Sequence, residues 1–247
     1  VMAAYTGRVY VDKNKNGVFD QSEKPLAGIK VSDGLNVVET AADGSFTLPG
    51  HERERFIFIT TPSGYKTFNR HYHKIEKKQS GYDFGLIPYS GRIRKDGSHR
   101  YIHITDTEIF NTENHADWVN NVRDYARNEQ AAFIIHTGDI CYEKGLKAHI
   151  KLMNTENMDC PVFYCIGNHD LVKGKYGEEL FESIYGPVYY SFDAGNVHYV
   201  VTPMPGGDHA PGYTSDDVCR WLKNDLAHIR PGTPVVVFNH DLLTYED

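Results

Sequence analysis

The first 88 residues alternate hydrophobic and polar positions in short runs. Turn-forming pairs such as Asp-Gly, Pro-Gly and Ser-Gly separate these runs, and the alternation has a period of two. Such a pattern predicts antiparallel strands. The predicted strands are residues 7–11, 28–31, 35–38, 45–48 and 55–59. We therefore expect an all-β sandwich over residues 1–88.

A polar, glycine-bearing stretch at residues 89–99 is predicted to be a linker. Beyond it, apolar strand-like runs alternate with segments of helical periodicity. The predicted order is strand 101–105, helix 116–127, strand 131–136, helix 146–158, strand 161–166, strands 188–192 and 197–202, helix 216–229 and strand 234–238. This alternation predicts an α/β domain over residues 100–247 with a largely parallel sheet.

The composition is that of a globular protein, with 40% hydrophobic and 24% charged residues among 247. The net charge of -7 argues against nucleic-acid binding, and no apolar run reaches the roughly 18 residues that would span a membrane. The four cysteines show no CxxC spacing, and we interpret them as buried small apolar residues. The start, Val1 to Ala4, is too short to be a secretory signal. An earlier signal could already have been removed.

Four of the strands, all expected to be buried, end in side chains that can bind metals. The carboxyl ends of strands in open α/β sheets meet at the ligand crevice. Acidic, amide and imidazole groups gathered there would be costly without a balancing cation. The groups are Asp106 and Glu108, Asp139, the run Asn168-His169-Asp170, and Asn239-His240.

In chain order, these blocks resemble the motifs DxH, GD, GNH[D/E] and H of the calcineurin-like metallophosphoesterases. Residues 186–198 and 221–226 are similar to that family's paired strands and following helix. The resemblance covers roughly residues 100–247. It implies a hydrolase of phosphomonoesters or phosphodiesters that uses two divalent or mixed-valence ions of Mn, Fe or Zn.

The resemblance also implies roles for individual residues. The implied metal ligands are Asp106 for the first ion, Asn168 and His240 for the second, and Asp139 as the bridge between them. A hydroxide held by the metals would attack phosphorus in line, with His169 as the general acid for the leaving oxygen. Asp170 is expected to orient the ring of His169.

Three departures from the family pattern matter. Glu108 stands where most members have histidine, and it would ligate the first metal directly, ligate it through water, or stand aside. The blocks GDxxY at 138–142 and VxxH at 237–240 resemble purple acid phosphatases, in which the tyrosine binds ferric iron, although their DxG motif is not matched. Tyr142 is therefore either a ligand or a wall residue.

The third departure is that the chain ends at Asp247 before any GHxH motif, so we expect a truncated α/β domain with weak or single-site metal binding and little activity. An alternative to the enzyme is an exported, calcium-stabilised surface or binding protein whose phosphoesterase domain is catalytically impaired.

Residues 12–23 fit the calcium loop D-x-[DN]-x-[DN]-G-x5-E. The expected oxygen ligands are Asp12, Asn14, Asn16, the Val18 carbonyl, Asp20 and Glu23. The flanking strands exclude an EF-hand, and the surrounding sequence resembles calcium-binding B-type repeats of bacterial surface proteins. Residues 42–49 are similar to carboxypeptidase-regulatory-like sandwiches. These resemblances imply a structural calcium ion and a bacterial protein exported to the periplasm or cell envelope.

The loop at residues 203–213 is rich in glycine and proline and is expected to border the crevice. His209 and Tyr213 in this loop are candidates for contact with the phosphate-ester substrate.

Overall fold

The computed structural model describes residues 4–79 and 81–241. The expectations that rest on residues 1–3 and on the last residues, Tyr245 to Asp247, lie outside these ranges.

The N-terminal region is all-β, as predicted. Two four-stranded sheets have the orders β4-β1-β8-β6 and β3-β2-β5-β7. The strands are β1 Tyr5–Val11, β2 Lys30–Ser32, β3 Val37–Glu39, β4 Ser45–Leu48, β5 Phe56–Ile59, β6 Tyr65–Thr67, β7 Tyr72–Lys74 and β8 Phe84–Pro88. Neighbours pair antiparallel except β1 and β8, which pair parallel.

The alternating apolar residues of these strands form one core. In β4, for example, Phe46 and Leu48 are buried whereas Thr47 is exposed. The core contains Val9, Leu26, Ile29, Val31, Phe46, Leu48, Ile57, Ile59, Tyr82, Phe84 and Leu86. Strands β6, β7 and β8 were not predicted, because two of them span three residues and the third contains Gly85, which weakens a strand pattern.

The remainder of the chain is mixed α/β, which confirms the predicted fold class. A parallel sheet has the order β11-β10-β9, and a second sheet has the order β12-β13-β14. The elements are β9 Arg100–Ile104, α1 Ala116–Asn128, β10 Ala131–His136, α2 Tyr142–Leu152, α3 Thr155–Met158, β11 Val162–Tyr164, α4 Glu179–Tyr185, β12 Tyr190–Ala194, β13 Val197–Val201, α5 Ser215–Leu226 and β14 Val235–Phe238.

Two helix predictions need correction. The single helix expected over 146–158 is divided into α2 and α3, because Met153 is extended and the Asn154 side chain caps α3 by accepting the Asn157 N–H at 2.8 Å. Helix α4 was not predicted at all, since its seven residues give too short a periodic signal.

The four strands that carry candidate ligands differ in burial. Strand β10 is buried throughout, as expected. Strands β9 and β14 are not, because Tyr101, Val235 and Val237 are 38%, 41% and 47% exposed.

The described residues form two compact units. The first takes its residues from 1–91, 190–199 and 215–236, and the second from 92–189, 200–214 and 237–247. In the first unit, both faces of β5 are buried, because Trp221 of α5 packs on Phe58 with ring centroids 6.1 Å apart. Along the part of the chain described, no helix combines the length and apolar character needed to cross a bilayer.

Candidate metal centre

The loops that follow β9, β10, β11 and β14 all belong to the second unit and are joined by hydrogen bonds. The Asp106 N–H donates to the Gly138 carbonyl at 2.9 Å, which joins the first two loops. The Cys165 N–H donates to the His136 carbonyl at 2.7 Å, which joins the loop after β11 to the end of β10. Strand ends thus bring together residues that are distant in sequence.

Two groups of potential metal ligands share Asp139. The ligand atoms of Asp106, Asp139 and His240 lie within 4.8 Å of one another, and so do those of Glu108, Asp139 and Cys141. Within residues 4–79 and 81–241, these are the groups of three or more His, Cys, Asp or Glu side chains that meet this distance. A carboxylate common to both groups is placed to bridge two cations.

His240 is held in the orientation that a metal ligand needs. Its Nδ1 lies 2.9 Å from the Thr137 carbonyl, which accepts a hydrogen bond from Nδ1–H. The Nε2 lone pair is then available on the other side of the ring, 3.4 Å from Asp139 Oδ2. A backbone carbonyl that fixes the free nitrogen is the usual outer-shell partner of a ligating histidine.

The backbone around these ligands is strained. Positive φ angles of 52°, 45°, 53°, 77° and 51° occur at Asp106, Glu108, Asp139, Cys141 and Tyr142. These are five of the nine non-glycine residues with positive φ in the part of the chain described. Each costs on the order of 1 kcal/mol or more, and such strain concentrates at functional sites.

Thr107 is held by two buried histidines. Gly138 donates its N–H to His136 Nδ1 at 3.0 Å, so His136 Nε2–H donates to Thr107 Oγ1 at 2.9 Å. The Thr107 hydroxyl in turn donates to His149 Nδ1 at 3.3 Å. Burial lowers the pKa of His149 to about 4 and that of His136 well below its usual value, so both rings are neutral at physiological pH. The turn between Asp106 and Glu108 is therefore anchored at its centre.

His169 lies next to the bridging carboxylate but pairs with an unexpected acid. The backbone N–H of His169 donates to Asp139 Oδ1 at 3.1 Å. The ring Nδ1 of His169 lies 3.0 and 2.9 Å from the two oxygens of Asp208. The hydrogen bond with Asp208 raises the pKa of His169. Asp208 was missed because its loop carried only a general signal, an acid beside His209 in a glycine-rich stretch.

Asp170 does not orient His169, contrary to the prediction. Its buried carboxylate accepts the N–H of Gly167 at 2.9 Å and that of Cys141 at 3.1 Å. Burial raises the pKa of Asp170 to about 6. Asp170 therefore holds two loops together.

Comparison with protein families gives two matches. Residues 99–246 match the model described as calcineurin-like phosphoesterase, and residues 13–88 match the model described as the N terminal of calcineurin-like phosphoesterase. The chain belongs to the calcineurin-like phosphoesterase family. A comparison with curated proteins returned no match.

Family membership implies metal-dependent hydrolysis of phosphate esters by two ions. The donors present fit such ions, since carboxylates and an imidazole with a fixed tautomer are ligands for Mn, Fe and Zn. The N-terminal sheets correspond to a region that accompanies this family. The division into residues 1–88, 89–99 and 100–247 remains a prediction.

The remaining candidate residues are placed as follows. Asn168 is half-buried and begins a 3-10 turn, Asn168–Asp170, that contains His169. Tyr142 is 46% exposed, and its ring centroid lies 5.3 Å from that of His169. This position suits a wall residue beside the imidazole.

The loop at residues 203–213 lies against the turn of residues 167–170, which carries His169. The Asp208 N–H donates to the Asn168 carbonyl and the His209 N–H to the Leu171 carbonyl, both at 3.1 Å. His209 is exposed, whereas Tyr213 is 4% exposed with its hydroxyl donating to the Met204 carbonyl at 2.6 Å. Tyr213 therefore helps to shape the loop, and contact of His209 or Tyr213 with the substrate stays a prediction.

The calcium-type loop is ordered by its own backbone. Asp12 Oδ2 accepts the Gly17 N–H at 2.8 Å, and Glu23 accepts the N–H groups of Lys13 and Asp20 at 2.7 and 3.1 Å. Gly17 has φ of 74°, the sharp turn that the motif requires. The three carboxylates of this loop, all within the described ranges, are not among the groups with ligand atoms within 4.8 Å.

Side chains of Asn14 and Asn16 also bond within the loop. Asn14 Nδ2 donates to Asp20 at 3.3 Å, and Asn16 Oδ1 accepts the Val18 N–H at 3.0 Å. The loop has the turns of the motif, but the oxygens are engaged by its own donors.

The prediction for the cysteines is partly wrong. Cys141, Cys160 and Cys165 are buried, but Cys219 is exposed. Moreover, Cys141 lies among polar ligands rather than in an apolar environment.

Proposed function

We propose that this chain hydrolyses phosphomonoesters or phosphodiesters with two metal ions held by the ligand groups that share Asp139. The observation that supports this most directly is that Asp139 belongs to both ligand groups, one completed by Asp106 and His240 and the other by Glu108 and Cys141. When bound, the ions would neutralise the phosphoryl oxygens and activate the attacking water.

In this proposal, His169 supplies the proton that the leaving oxygen needs. Asp208 holds Nδ1, so Nε2–H of the protonated ring is free to donate. The same carboxylate raises the pKa of His169, which favours the protonated form near neutrality. The backbone N–H of His169 donates to Asp139 Oδ1, so the residue that carries the proton is held next to the shared carboxylate.

The experiment compares leaving groups. The chain is loaded with Mn²⁺, Fe²⁺ or Zn²⁺ and assayed with phenyl phosphate, p-nitrophenyl phosphate and bis-p-nitrophenyl phosphate. We expect His169→Ala to lower kcat for phenyl phosphate by about 10²–10⁴-fold and to affect the better leaving group less. The control is His228→Ala, since that ring contacts Val37 and Glu39 of the first unit.

Equal losses for both leaving groups would remove the general-acid role. Bound metal without turnover of any of these esters would instead favour the alternative of a binding protein with an impaired phosphoesterase domain. Glu108, in place of the family's histidine, is the residue that favours this alternative.

We further propose a structural Ca²⁺ ion in the loop of residues 12–23. The support is the sequence match, Gly17 with its positive φ, and the burial of Asp12 and Glu23, which are 1% and 4% exposed. The resemblance to B-type repeats and the exported location remain predictions, for which the loop is the motivating feature.

A further inference from the structure

Cys141 lies in the candidate metal centre because of the turn after Asp139. Asp139, Cys141 and Tyr142 have positive φ angles of 53°, 77° and 51°. Their side chains therefore point in directions different from those at the start of a regular helix. Cys141 is fully buried, whereas Tyr142 is 46% exposed. The Asp170 carboxylate fixes this arrangement by accepting the Cys141 N–H at 3.1 Å.

The thiol meets two carboxylates. The Cys141 Sγ and one oxygen each from Glu108 and Asp139 lie within 4.8 Å of one another. Three donors of this kind match the number of protein ligands common at catalytic metal sites, where one position stays open.

We propose that Cys141, together with Glu108 and Asp139, binds one of the two metal ions through its sulfur; this inference rests on the proposed function. On binding, the thiol proton leaves to solvent and a sulfur lone pair forms the bond to the metal. Cys141 is then the metal ligand that the turn after Asp139 supplies. Tyr142, which the sequence left as either a ligand or a wall residue, is the wall residue beside His169.

The donor set predicts which ions this site prefers. Glu108 is a hard oxygen ligand where most of the family has imidazole, so the carboxylates alone would suit Mn²⁺. A thiolate restores a softer donor and shifts preference towards Zn²⁺ and Fe²⁺. We therefore expect the chain to bind Zn²⁺ in preference to Mn²⁺ at this position.

The other cysteines of the second unit provide a contrast. Cys165 is also fully buried, but its Sγ lies 3.3 Å from the Thr202 carbonyl, which accepts a hydrogen bond from it. Cys160 is likewise buried and belongs to neither ligand group. Burial alone therefore does not bring a thiol to the carboxylates, and these residues are matched controls.

The test is the absorption spectrum of the Co²⁺-loaded protein. We expect visible d–d bands together with a near-ultraviolet sulfur-to-cobalt charge-transfer band. The charge-transfer band should be absent in Cys141→Ser and present in Cys165→Ser and Cys219→Ser. Zn²⁺ affinity should fall in Cys141→Ser by more than the roughly 10–100-fold loss typical of outer-shell changes, and Mn²⁺ affinity should fall less.

A variant with Cys160, Cys165 and Cys219 all replaced by serine should keep the band, which tests the assignment even if Cys141→Ser does not fold. Visible bands without the charge-transfer band, or a band that survives Cys141→Ser, would overturn the role of Cys141 and leave the proposed hydrolase intact. A wild-type protein that neither binds Co²⁺ nor hydrolyses any ester with any metal would overturn both.

Discussion

Gly167 is required by a close contact and not by its backbone angles. Its φ of −92° is available to any residue, but an added Cβ would overlap the backbone nitrogen and Oδ1 of Asp139. We predict that Gly167→Ala displaces the shared carboxylate and lowers Mn²⁺ or Zn²⁺ affinity by about 10–100-fold. Isothermal titration measures this.

Gly206→Ala is the matched control, because an added Cβ there meets no atom within 4 Å. Its metal affinity should equal that of the wild type. An unchanged affinity in Gly167→Ala would mean that Asp139 is not the shared ligand.

Thr107 links two buried imidazoles to the turn that carries Asp106 and Glu108. Valine has the same shape without the hydroxyl, so Thr107→Val leaves nitrogen atoms of His136 and His149 without their partner. The expected loss is about 1–3 kcal/mol in the free energy of unfolding, together with about 10–100-fold in metal affinity.

Thr107→Ser keeps the hydroxyl and should retain most of both properties. Denaturant unfolding and metal titration separate the two effects. A destabilised Thr107→Val protein with wild-type metal affinity would show that the hydroxyl serves only the core.

A buried polar network joins strands and a helix within the first unit. His198 contacts Asp193 through Nδ1 and Asp225 of α5 through Nε2, both at 2.6 Å. Ser191 donates to Asp225 at 2.7 Å and lies 2.8 Å from the Thr60 hydroxyl of the sandwich. Fully satisfied networks of this kind specify how elements pack.

This network predicts a pH dependence of stability. Burial alone would lower the pKa of His198, but hydrogen bonds with Asp193 and Asp225 outweigh it and raise the pKa to about 9. Folding therefore favours the protonated ring, and its contribution is fully present below pH 6.5 and is lost as the pH rises towards 9. Lys30, 3.9 Å from Asp193, is the other charged group of the network.

The measurement is thermal unfolding of the wild type and His198→Gln from pH 6 to pH 9.5. The difference in melting temperature should be largest at pH 6 and should narrow through pH 9, since glutamine does not titrate. A difference that is constant with pH would show that folding does not change the pKa of the ring.

For the molecule as a whole, patterns that depend on neighbours in sequence predicted most of the fold. Period-two alternation identified the sandwich, and residues at strand ends located Asp106, Asp139 and His240. The pairing of His169 with Asp208, 39 residues apart, could not be predicted, because Asp208 follows no strand and lies in a loop without a specific motif. The inward direction of Cys141 depends on consecutive positive φ angles, which no hydrophobic pattern encodes.

The proposed two-metal centre and the proposed Ca²⁺ loop lie in different parts of the chain and use different chemistry, so they should respond to separate changes. Ca²⁺ should raise the melting temperature after chelation, because an ion bound only by the folded state stabilises it by about 2.7 kcal/mol at a concentration of 100 Kd. Asp12→Ala should abolish this rise and leave Zn²⁺ binding unchanged. Asp139→Asn should do the reverse, since it removes the carboxylate shared by both ligand groups. A melting temperature indifferent to Ca²⁺ in the chelated wild type would mean that the hydrogen bonds from Gly17, Lys13 and Asp20 to Asp12 and Glu23 suffice to close the loop.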